Sequence, residues 1–138
     1  MSKGYIFSTD NGTITNGISK LATVTGISLT AAATTNLYTV PAGASVVITE
    51  IVLRITAVNT FISGATISVG KTASYNEWLV ATAMGNLSTV GQFRMLSHSA
   101  AGLLYQTFAA AEIVALNVTI GATSTTLTAT ADIYGYLF

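Results

Sequence analysis

A chain of 138 residues, half of them apolar and only 7% charged, forms one domain with enough material for a hydrophobic core. Its formal net charge is zero, and Lys3, Lys20, Arg54, Lys71 and Arg94 are scattered. That excludes a basic face for nucleic acid or an anionic membrane. Without cysteine there is neither a disulfide framework nor a zinc–thiolate site.

Polarity comes instead from Thr and Ser, about a quarter of the chain. A small protein so poor in charge associates readily, which points to surface buried against partners. Residues 1–18 carry the turn pairs Asn11-Gly12 and Asn16-Gly17 and read as an arm or small hairpin, with a β-sandwich domain over 19–138. Met1-Ser2-Lys3-Gly4-Tyr5 lacks an apolar export signal, so the sequons at Asn11, Asn86 and Asn117 carry little weight. No apolar run reaches the ~18 residues of a spanning helix.

From Lys20 onward β-branched residues and turn signals recur, as in a sandwich or barrel. Strands are expected at 20–30 and 36–40, then a turn at Pro41-Ala42-Gly43, where the chain's single proline gives up no needed N–H. The long strand 46–58 follows, with Val47, Ile51, Leu53 and Ile55 inward and Glu50, Arg54 and Thr56 outward. Another strand is expected at 64–70. Ser74-Tyr75-Asn76-Glu77 then has the form of a capping box, and Gly85 that of a helix stop, which predicts one short helix near 75–84.

Strands at 91–97 and 103–108 come next, with the Ala-rich 100–111 ambiguous between strand and loop. In 112–120, Val114, Leu116, Val118 and Ile120 form the apolar face and Asn117 and Thr119 the other. In 126–138, Leu127, Ala129, Ala131, Ile133 and Leu137 face in; Thr126, Thr128, Thr130, Asp132, Tyr134, Tyr136 and Phe138 stand opposite. About eight strands make an all-β, jelly-roll-like antiparallel β-sandwich.

Chemistry-bearing residues are sparse. Asp10, Glu50, Glu77, Glu112 and Asp132 are isolated, and no spacing marks an acid pair. His98, between Ser97 and Ser99, has no triad pattern, and Asp10-Asn11-Gly12 lacks the further ligands of a calcium loop. No enzyme, metal or cofactor is expected. Tyr134, Tyr136 and Phe138 instead form an aromatic row among Thr and Asp, a patch that monomers avoid exposing, and they read as an interface strand. Trp78 and Tyr75 are further candidate contact residues. A closing Phe preceded by alternating aromatics is also a feature of outer-membrane barrels, but Thr130 and Asp132 interrupt the would-be lipid face.

The segment Ala33-Thr34-Thr35-Asn36-Leu37-Tyr38-Thr39-Val40-Pro41-Ala42-Gly43 with its long Val/Ile strand resembles a recurrent corner of tailed-phage structural proteins. Ile67-Ser68-Val69-Gly70 and Tyr75-Asn76-Glu77-Trp78-Leu79 are similar to what often follows it. The resemblance covers residues 30–85 and implies a virion protein of the small jelly-roll kind, commonly homotrimeric, without catalytic residues. Proteins of that kind serve as capsid decoration or cement proteins, head or tail fibre tips, or minor tail proteins. With its short length and scarce charge, this chain is expected to be a capsid decoration (cement or knob) protein, made in the host cytoplasm and bound on the capsid surface to the major capsid protein or other virion proteins. The absence of a shaft or stalk favours that role over a tail or fibre tip. A tip would bind a host receptor or glycan, with Trp78, Tyr75 and His98 as stacking residues.

Overall fold

A computed structural model describes residues 17–85, 87–99 and 106–138. Among the described residues nine strands run β1 (Ser19–Ser28), β2 (Ala33–Thr39), β3 (Val46–Asn59), β4 (Thr66–Lys71), β5 (Ser74–Ala83), β6 (Phe93–Leu96), β7 (Thr107–Phe108), β8 (Ile113–Ile120) and β9 (Thr126–Leu137). Sheet A has the order β1-β9-β3-β6, with β7 also on β3, and sheet B the order β2-β8-β4-β5. The expected arm at 1–18 lies, apart from its last two residues, outside the described residues.

The pairing has a simple logic. β1 pairs with β9, β2 with β8, β3 with β6 and β7, and β4 with β5, all antiparallel. This is one long hairpin closed at Thr72-Ala73. It is rolled up so that β9 also meets β3 and β8 also meets β4. That winding is the jelly roll. β6 and β7 lie along the same edge of β3.

The corner at Pro41 forms as its residues demand. Ala44 N–H donates to Pro41 C=O (3.3 Å), and Gly43 takes φ 78°, a conformation with no penalty only for glycine. The core lies between the sheets. β3 contributes Ile51, Leu53 and Ile55, β9 Leu127, Ala129, Ala131 and Ile133, β4 Ile67 and Val69, and β8 Val114, Leu116 and Val118, all buried.

Three expectations need correction. The expected helix near 75–84 does not form: Ser74–Ala83 is strand β5. The Ser-x-x-Glu signal is local, whereas the two-residue turn at Thr72-Ala73 delivers the chain straight back onto β4, and Trp, Val and Thr are indifferent helix formers. Val47 is not inward. A register shift between Ile48 and Glu50 turns Val46 and Ile48 into the core and sets Val47 beside Tyr136 on the outer face. Ile120, assigned to the inner face, is exposed at the end of β8.

Thr60, just after β3, sits at φ 52°, a strained position for a β-branched residue. Thr60→Gly is therefore expected to stabilise the fold by about 0.5–1 kcal/mol, a rise of a few degrees in Tm by calorimetry. A lower Tm would mean that the Thr60 hydroxyl bond to Asn59 Oδ1 (3.2 Å) outweighs the strain.

Candidate interaction faces

The even residues of β9 point away from the core because Ala129, Ala131 and Ile133 point into it. Tyr134 is half-buried, Tyr136 is 38% exposed and Phe138 is 66% exposed. The rings of Tyr136 and Phe138 are 6.0 Å apart at 42°. The chain end is held in place: Phe138 N–H donates to Ser45 C=O and Ser45 N–H to Phe138 C=O, both at 2.9 Å. The aromatic row is thus a rigid feature of the outer face of sheet A.

Further along β9 the same face turns polar. Thr23 Oγ1 donates to Asp132 Oδ1 (2.6 Å), and Lys20 Nζ lies 3.4 Å from that oxygen. The threonine hydroxyl first, and Lys20 after it, hold the Asp132 carboxyl below the usual range against the opposing effect of burial. Lys71 pairs similarly with Glu112 at 2.9 Å, and that bond and the Ala109 N–H lower the Glu112 pKa.

At the other end of the sheet is a second apolar patch that sequence reading missed. Phe93 and Met95 on β6 are 60% and 59% exposed, opposite Arg54 and Val52. Val90 is exposed at the tip of a turn held by Gln92, whose Oε1 accepts from Ser88 and Thr89 N–H (2.7 and 2.9 Å). Beside it a cleft of about 840 Å³ opens between Leu87, Phe93 and Arg94, and Arg94 Nη1 bridges to Ala83 C=O (2.9 Å) on sheet B. Phe93 and Met95 are exposed because the register pairs them with Arg54 and Val52 on the outer face, whereas Leu96 of the same strand pairs with Ile51 and is buried; that register is not legible in so short a strand. Tyr136 is level with Val47 and Phe93 with Arg54, so the two patches lie roughly 20–25 Å apart along β3 at about 3.3 Å per residue.

Trp78, a candidate contact residue, is in fact core: it is fully buried and donates through Nε1 to Ile48 C=O (3.0 Å). His98 meets its ring edge-on at 6.5 Å, and Ser99 N–H donates to Trp78 C=O (2.8 Å), so the segment after β6 closes over the edge of β5. A stacking platform built on Trp78 is therefore closed off. Tyr75 is half-buried on the far face of sheet B. Glu77 Oε2 and His98 Nε2 are buried with no hydrogen-bond partner among the described residues, which also contain no cluster of three or more metal-ligating side chains.

The fold has solved counterparts. One is a chain in the acid-stable capsid structure of Helicobacter pylori bacteriophage KHP30, with TM-score 0.53 and 14% identity over 88% of this chain and 95% of that one. Another is a chain in the capsid asymmetric unit of cyanophage Pam1, with TM-score 0.55 and 18% identity over 87% of this chain and 83% of that one. At such identities the likeness is one of fold. It runs nearly end to end, so both are chains of about this length. The sequence matches no protein-family model and no curated protein.

Proposed function

We propose that this protein is a structural component of a phage virion, a decoration (cement) protein that sits as a homotrimer on the capsid surface and binds the major capsid protein or other virion proteins. The observation that carries the reading is the single jelly roll, aligned almost end to end with chains of similar length in two phage capsids. The surface supports it. Two unlike apolar patches at separate places on sheet A suit a head-to-tail contact, one copy's aromatic row against the next copy's Val90–Phe93 region, which closes into a ring when the rotation allows. The scarce charge suits a protein held between other subunits. Its action is passive: apolar contacts repeated around a ring add burial at about 25 cal/mol per Å² before the costs of binding.

Purified particles test this directly. The protein is expected in many copies spread over the shell, and the double variant Tyr136→Ser/Phe138→Ser is expected to be monomeric by light scattering, with Tm almost unchanged and shell occupancy lost. Location at the tail alone would overturn the capsid assignment. Retention of the trimer by the double variant would overturn the role of the aromatic row.

A further inference from the structure

The outer face of sheet B holds a second concavity, unrelated to the patches on sheet A. It is a trough of about 360 Å³, within the range of small-ligand clefts. Ser68 of β4 lies on its floor, Tyr75 and Asn76 of β5 form one wall, and Asn117 and Thr119 of β8 form the other. Ser68 and Asn117 are directly paired across β4 and β8, so their side chains share this face. Register shifts in the β4–β5 pairing break the regular alternation of β5 there.

The lining has a definite chemistry. Among the described residues, no charged side chain contributes to it. Ser68 is 2% exposed and lines the trough floor, where its hydroxyl can donate or accept. Asn117 Oδ1 already accepts from Thr34 Oγ1 (3.1 Å), which leaves its amide N–H groups to donate. Thr119 Oγ1 donates to Thr66 C=O (3.1 Å) and keeps its lone pairs to accept. The Asn76 amide and the Tyr75 phenol stand on the opposite wall. Alternating neutral donors and acceptors beside one aromatic ring match adjacent hydroxyl groups on a sugar ring. An anion would find no cation here, and an apolar ligand would strand the amides.

We propose that this trough is a binding site for a neutral carbohydrate, whatever the protein's place in a virion. The test is a two-dimensional NMR titration of the full chain with neutral trisaccharides (maltotriose, mannotriose and chitotriose), with sialyllactose as an anionic control. At least one neutral sugar is expected to shift the amide signals of Ser68, Asn76 and Asn117 with a millimolar Kd. Asn76→Ala and Tyr75→Ala are expected to weaken that binding about tenfold or more while Tm is kept, and Tyr75→Phe to weaken it less. Because Asn76 is exposed and bonded to nothing else described, its variant separates a lost ligand contact from a lost fold. Absence of shifts with all three sugars, shifts elsewhere on the surface, or stronger binding of sialyllactose would each overturn the proposal.

Discussion

Trp78→Ala is expected to cost about 3–5 kcal/mol, the range for deleting a fully buried large aromatic. That is a large part of the 5–15 kcal/mol by which a domain of this kind is stable. Two effects combine. The cavity opens between the two sheets, where Trp78 is completely enclosed, and Ile48 C=O loses the indole N–H that satisfies it at 3.0 Å. Trp78 also anchors the segment after β6 through its own carbonyl and its edge-on contact with His98, so the closure over β5 loosens with it. Trp78→Phe keeps most of the volume and removes the hydrogen bond, for an expected cost of roughly 1–3 kcal/mol. Trp78 is the chain's one tryptophan, so unfolding must be followed by far-UV circular dichroism in denaturant, not by fluorescence. A cost below about 1 kcal/mol for the alanine variant would show that the sandwich does not depend on this side chain.

Gly135→Ala is expected to be comparably severe for a change of one methyl group. Gly135 lies in β9 opposite Ile48, just where β3 shifts register, and is paired with Ser19 on its other side. A Cβ there would stand 2.1 Å from Val47 C=O and 3.1 Å from Leu21 Cδ1. The leucine can turn aside. The carbonyl belongs to the backbone of β3, and moving it disturbs the β3–β9 pairing at the centre of sheet A. A loss of about 3 kcal/mol or more follows from such overpacking, read as a fall in Tm or failure to fold. The double variant Leu21→Ala/Gly135→Ala separates the two contacts. No rescue is expected, whereas recovery of wild-type stability would assign the clash to the leucine.

Much of the architecture was legible because it rests on period-two alternation. β9 is the clearest case: Leu127, Ala129, Ala131 and Ile133 point in, and the aromatics and threonines point out. β8 reads the same way, and the Pro41-Ala42-Gly43 turn forms as its residues require. Misreadings occurred where a local signal met a non-local one. Ser74–Glu77 has the letters of a helix start, yet pairing with β4 makes it strand. Strict alternation puts Val47 on the wrong face because one extra residue in β3 reverses it without leaving a mark in composition. Of the candidate contact residues, Tyr136 and Phe138 stand at the surface, whereas Trp78 is buried, because a large aromatic serves as core filler or contact residue according to what lies above it.

Alternation, turn residues and composition are properties of neighbours along the chain, and they were enough to specify an all-β sandwich with few charges. Which outward-facing side chains stay uncovered, where β3 shifts register and which side chains gather in the trough on sheet B are set by the tertiary fold. Those depend on pairings such as Ser68 with Asn117 and Arg54 with Phe93, between residues that only the rolled hairpin brings together.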